Sequence, residues 1–287
     1  MPLRAFLGLL ALAAALSFPA GSYAAGSARV AALQVALKAR GLYGGPVDGY
    51  SGPGTRRAIL RFQRHRHLAV DGVVGPHTRR ALGRLGRHPL GTRPLGPGVV
   101  GWDVTALQFL LAWHGFPSGA FDGGFGNRTE ASVRRFQRWA GLSVDGRVGP
   151  ATIRALSRPR ATSPIRLAWP LQAAIGDRFG PRSGRFHAGI DLPAPTGRGV
   201  AATGPGRVTW ADWRDGGWGN LVVIAHRGGV RSMYAHLSRI DVRLGERVGA
   251  GFQVGLVGAT GDATGPHLHF ELRLRGAAID PLTALRG

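Results

Sequence analysis

Apolar positions repeat with two different periods along this chain, helical in the first half and alternating in the last third. Leu33, Ala36 and Leu37, then Ala58, Ile59 and Phe62, recur at helical spacing, and Asp48-Gly49 and Gly75-Pro76 punctuate them as turns. This predicts short amphipathic helices. The pattern returns 74 residues later: residues 33–82 align with 107–156 without a gap, and 24 of the 50 pairs are identical. Leu33-Gln34 matches Leu107-Gln108, Arg61-Phe62-Gln63 matches Arg135-Phe136-Gln137, and Val70-Asp71-Gly72 matches Val144-Asp145-Gly146. Such self-similarity marks a duplicated domain. Thr55 and Thr129 stand where helix N-caps are expected, and each copy predicts a three-helix unit of roughly 60 residues, near the lower size limit for a self-sufficient core.

The last third reads differently. Leu221 to Ala225, Val208 to Ala211 and His267 to Leu274 are β-branched or alternate apolar with polar, and Gly-rich turns separate them. This is antiparallel β-sheet patterning. In His267-Leu268-His269-Phe270-Glu271-Leu272 the alternation puts His267, His269 and Glu271 on one face and the apolar residues on the other; one face is core and the other a site. The fold class is thus multidomain α+β, with two small three-helix modules ahead of a mostly antiparallel β domain. Glycines at 245, 249, 251, 255, 258 and 261 fit a sheet of short, tightly turning strands.

The ends and joints divide the chain further. Arg4, an apolar run from Ala5 to about Leu16, and small residues at Ser22 and Ala24 describe a cleavable signal peptide over 1–24. The run is too short for the ~20 residues of a membrane span. No second long apolar stretch follows, so no membrane span is expected after cleavage. The Gly/Pro/Arg-rich stretch 83–98 and residues 157–163 read as linkers. Drawn as domains, this gives modules at 27–85 and 98–158, linkers at 86–97 and 159–168, and a third domain at 169–285. Without cysteine the chain carries neither a lipid-anchored cysteine nor a disulfide.

Charge adds one constraint. The chain has 37 basic against 15 acidic residues, net +22, nearly all of it arginine. A polyanionic partner follows naturally. Nucleic acid is rejected, because the arginines are scattered over all domains without a basic helix or an aromatic RNA-binding motif. Base composition of the genome explains the arginine content equally well.

The candidate chemistry sits in the β domain. His187 and Asp191, four apart in extended chain, join His236, His267 and His269. Imidazole and carboxylate suit Zn²⁺, and a catalytic zinc site uses three protein ligands plus a water, so this set supplies three ligands and two spare imidazoles. His226 stays outside the metal set as a packed or surface residue. Glu271 shares the face of the two histidines, either as a solvated or supporting carboxylate or as a catalytic one.

These motifs carry a resemblance. Arg178-Phe179-Gly180, Phe186 to Asp191, Gly219-Asn220, Tyr234-Ala235-His236-Leu237 and Thr264-Gly265-Pro266-His267-Leu268-His269-Phe270-Glu271 resemble the lysostaphin/LytM-type zinc metallopeptidases of bacterial peptidoglycan. The resemblance implies one Zn²⁺ per chain, held by His187, Asp191 and His269, with His267 and His236 as catalytic imidazoles. The repeated units resemble peptidoglycan-binding modules through Leu-Gln, Asp-Gly, Arg-Phe-Gln and Val-Asp-Gly-x-Val-Gly-Pro. Their Asp-Gly pairs are expected to be turn devices rather than calcium ligands.

The expected protein is therefore a secreted zinc endopeptidase at the cell wall, periplasmic in a Gram-negative cell. It would hydrolyse stem or cross-bridge peptides of peptidoglycan as a monomer, and the resemblance implies anionic wall polymers or acidic peptide stems as the polyanionic partners of its arginines. Two other readings remain: a catalytically silent wall-binding or regulatory protein using the peptidase fold as a docking surface, and modules that inhibit or steer rather than anchor.

Overall fold

The computed structural model describes residues 26–182 and 184–286, so the expected signal peptide lies outside the described residues. Each repeat builds three helices: α1 (Ala28–Lys38), α2 (Pro53–His65) and α3 (Pro76–Ala81), then α4 (Trp102–Trp113), α5 (Asn127–Ala140) and α6 (Pro150–Leu156). Pro53, Pro76 and Pro150 start their helices, where a missing N–H costs nothing and φ is already helical. Phe62 and Phe136, equivalent in the two copies, are buried at the centre of the respective cores.

A finer repeat appears within each copy. Gln34, Gln63, Gln108 and Gln137 are all buried, and each donates from Nε2 to the aspartate of an Asp-Gly-x-x-Gly-x-x-Thr segment. The Oε1 of each glutamine accepts the backbone N–H of the following glycine, at 2.9–3.0 Å. The aspartates also accept an N–H two residues on, as in Asp48 with Tyr50 and Asp145 with Arg147. They are turn devices. Thr55 and Thr129 are not N-caps: Gly52 and Gly126 hold those positions, and the two threonines lie buried inside their helices. Each hydroxyl donates back to its loop, Thr55 to Tyr50 O and Thr129 to Gly124 O, and is in reach of its glutamine. The hydroxyl fastens loop to helix instead of closing the helix end.

The β domain runs β1 (Leu167–Ala168), β2 (Gly180–Arg182), β3 (Arg185–His187), β4 (Ile190–Pro193), β5 (Gly199–Ala201), β6 (Gly206–Arg214), β7 (Gly219–Ala225), β8 (Val230–Leu237), β9 (Arg239–Ile240), β10 (Arg247–Val248), β11 (Gln253–Leu256), β12 (His267–Leu274), β13 (Ala277–Ile279) and β14 (Leu285–Arg286). The main sheet has the order β10-β6-β7-β8-β12-β13, with β4 also on β12, and every pairing in it is antiparallel. Val222, Ile224, Tyr234, Leu268, Phe270 and Leu272 turn one face into the core. β2 and β3 form a separate hairpin.

The parts pack against one another. Within the stretch expected to be a linker, Leu95 is buried and pairs with Val148 of the second module. Ala31 and Val35 of α1 share one apolar cluster with Phe109 and Trp113 of α4, and Phe179 and Phe186 of the β domain pack onto it. No helix among the described residues is long and apolar enough to cross a membrane.

Candidate metal and catalytic site

Three side chains from three strands converge on one point. His187 ends β3, Asp191 sits on β4, and His269 on β12, directly across from Asp191 in the register. His187 and Asp191 do not share a strand, because the chain turns at Ala188-Gly189 between them. Gly189 is required there: a Cβ would lie 2.3 Å from the Phe270 carbonyl oxygen, so any side chain would push β4 off β12. His187 Nε2, His269 Nδ1 and Asp191 Oδ1 are 2.8–3.1 Å apart.

The other ends of the rings identify which nitrogens carry lone pairs. His187 Nδ1 lies 3.0 Å from Arg178 O, and His269 Nε2 lies 3.3 Å from Glu271 Oε1. Both partners only accept, so those nitrogens carry the protons and the opposite nitrogens face Asp191 as lone pairs. Two lone pairs and a carboxylate aimed at one another repel unless a cation sits between them. A first-row divalent metal satisfies all three, and these atoms form the one metal-competent cluster of histidine and acid among the described residues. The protein meets the same demand with a proton: burial opposes charge on His269, but Asp191 and Glu271 outweigh it and push its pKa up to about 9. Burial likewise opposes charge on Asp191, and the two imidazoles hold it well below the usual carboxylate range. Glu271 is 2% exposed and also stays below its ordinary value against burial, held there by Arg273 and His269.

The remaining two histidines flank this cluster in a cleft of about 660 Å³. Their rings are 4.8 Å apart between centroids. His267 Nδ1 lies 2.9 Å from Gly265 O and His236 Nδ1 lies 2.8 Å from Thr260 O. Each N–H is thus committed to a carbonyl, and Nε2 is left as the basic nitrogen. His267 Nε2 is 3.7 Å from Asp191 Oδ1. Burial, with His269 and His267 nearby, pushes the His236 pKa down. His236 also holds φ at +62°, a left-handed conformation that non-glycine residues adopt at a cost and that clusters at functional sites.

All five sequence-predicted residues thus meet in one cleft, and His226 does not: it is tied to Pro205 O and Ser232 Oγ. Glu271 proves to support His269. Arg178 O, Arg182, which pairs with Asp177 and Asp191, and Trp218, 5.7 Å from the His269 ring, complete the surroundings. Nothing in residue spacing marks these last three for a role; only the Arg178-Phe179-Gly180 motif hinted at the first.

The model of peptidase family M23 matches residues 185–281. Those residues are a peptidase family M23 domain. The "Putative peptidoglycan binding domain" model matches residues 26–82 and 101–156. Among curated relatives, the DD-carboxypeptidase/endopeptidase Mpg of Neisseria meningitidis is 46% identical over 34% of this chain and 23% of its own. The murein hydrolase activator NlpD of Salmonella dublin is 31% identical over 59% of this chain and 46% of its own. The chain therefore spans a quarter to a half of the length of these relatives. Lysostaphin of Staphylococcus simulans is 33% identical over 42% of this chain and 52% of that one, with a TM-score of 0.38.

Proposed function

We propose that this protein is an exported zinc endopeptidase that hydrolyses peptide bonds in bacterial peptidoglycan, in the stem or the cross-bridge, and that the two modules hold it on the wall. The observation that carries this reading is the convergence of three metal-competent atoms with two further basic imidazoles in one open cleft. His187, Asp191 and His269 would hold the ion. Zinc in such a site polarises a carbonyl and lowers the pKa of water toward ~7.

The chain's own residues supply the proton handling. His267, with its Nε2 lone pair beside Asp191, would take the proton of the attacking water and hand it on to the leaving amine. His236 has no N–H to spare while neutral, since Thr260 O takes it. It donates toward the carbonyl oxygen or the leaving amine only once Nε2 is protonated. Its lowered pKa keeps that protonated form scarce, so the proton for the leaving amine comes from His267. Both modules engaging one polymer raise the local substrate concentration.

The test is digestion of purified peptidoglycan, with mass spectrometry of the fragments. New amino termini are expected, and a chelator or Asp191→Ala abolishes them. His267→Ala should keep its zinc yet lose about 10²–10⁴ in rate. The NlpD relative, named an activator and matching over half of this chain, favours a second reading. Zinc and wall binding without new termini, together with faster cutting by an added murein hydrolase, would establish that one.

A further inference from the structure

We infer that the second module is part of the metal site's scaffold, and that Trp113 of α4 is a positioning residue for His187. The inference rests on the zinc reading above. Trp113 is 8% exposed although it ends its helix, because the β domain covers it. Its ring lies 6.1 Å from Phe179 and 5.3 Å from Phe186, both edge-on, and those two rings are 4.9 Å apart.

The two phenylalanines are the chain neighbours of the groups that aim His187. Phe179 follows Arg178, whose carbonyl takes the Nδ1 proton of His187, and Phe186 precedes His187 itself. Clamping both rings therefore fixes both the imidazole and the acceptor that sets its tautomer. The clamp is anchored on either side. Phe121 N–H donates to Gly184 O at the hairpin's tip, and Ala278 N–H donates to Gly115 O just past the end of α4. Trp139 Nε1 donates to Leu274 O at 3.3 Å. Arg160 closes the outer face, 4.4 Å from the Trp113 ring.

Trp113 Nε1 is buried without a hydrogen-bond partner among the described residues, so the side chain acts through its aromatic surface. A phenylalanine therefore suffices in its place. Gly115 offers a second handle: a Cβ there would lie 2.2 Å from Ala278 O and wedge α4 away from the β domain.

The experiment measures zinc affinity of the full chain by competition with a chromogenic chelator, for wild type, Trp113→Phe, Trp113→Ala and Gly115→Ala. A group that hydrogen-bonds a metal ligand, as Arg178 O does His187, is worth about 10- to 100-fold in metal affinity, and Trp113 would act through it. Trp113→Ala and Gly115→Ala should weaken zinc by about tenfold or more, and Trp113→Phe should restore wild-type affinity. If Trp113→Ala fails to fold, Gly115→Ala decides. Zinc affinity of the alanine variants within about twofold of wild type would overturn the inference, as would Trp113→Phe weakening as much as Trp113→Ala. Wild type that binds zinc and cuts no peptidoglycan would sink the peptidase reading while leaving this comparison intact.

Discussion

The ring of His269 is gripped at both ends, by Asp191 at Nδ1 and by Glu271 at Nε2, and the consequence is a proton that a metal ion at the proposed site would have to displace. With its pKa pushed up to about 9, the metal-free site holds that proton through neutrality. Metal uptake then releases it, so apparent zinc affinity should climb as pH rises toward about 9 and fall as pH drops. Chelator competition between pH 6 and 9, with proton release followed in weak buffer, checks the sign; a flat profile would refute it. The metal-free fold behaves oppositely. A raised histidine pKa stabilises the fold fully below the ordinary value near 6.5, and the contribution disappears as pH climbs through about 9. His267 and His269 were legible from alternation alone, since residues two apart on a strand share a face. Glu271 was seen on that face but its task was not, because orienting an imidazole depends on a distance and leaves no periodic trace.

At the scale of elements, the four buried glutamines explain why the helical modules keep their loops. Gln137 satisfies Asp145, Arg147 O and Gly146 N–H at once and reaches Thr152. Gln137→Ala leaves those groups without their shared partner in a buried site and should destabilise the second module by about 2–3 kcal/mol, read from urea unfolding. An effect under about 0.5 kcal/mol would mean that water replaces the glutamine. The long repeat was visible in the sequence, and so were the helices, because both recur at fixed spacing. The inner Gln to Asp-Gly-x-x-Gly-x-x-Thr repeat was also written there. It was hidden because Gln34 lies 14 residues from Asp48 while Gln63 lies 8 from Asp71. Thr55 and Thr129 misled for a related reason: a threonine near a helix start suits a cap or an inward bond equally, and only the position of the glutamine decides.

Across the whole molecule, apolar surface is continuous from the first module through the second into the β domain, by way of Ala31, Phe109, Trp113 and Phe179. Parts that share a core unfold together. Calorimetry of the metal-free chain should show the second module and the β domain melting in one transition, and Trp113→Ala should split it in two. Two transitions in wild type would show that the interface is too weak to couple them.

The sequence by itself determined the inventory: a duplicated helical unit, a sheet with one polar face, and four histidines with one aspartate in a family's order. Those features are local or periodic, and they survive being read along a line. The tertiary structure alone decided that Arg178 O and Glu271 orient the imidazoles, that Gly189 lets β4 close on β12, and that Trp113 braces the hairpin bearing His187. Those contacts join residues far apart in the chain or depend on a chance closeness of backbones. Physical contact across a fold imposes no spacing on the sequence, and only the folded chain brings the partners together.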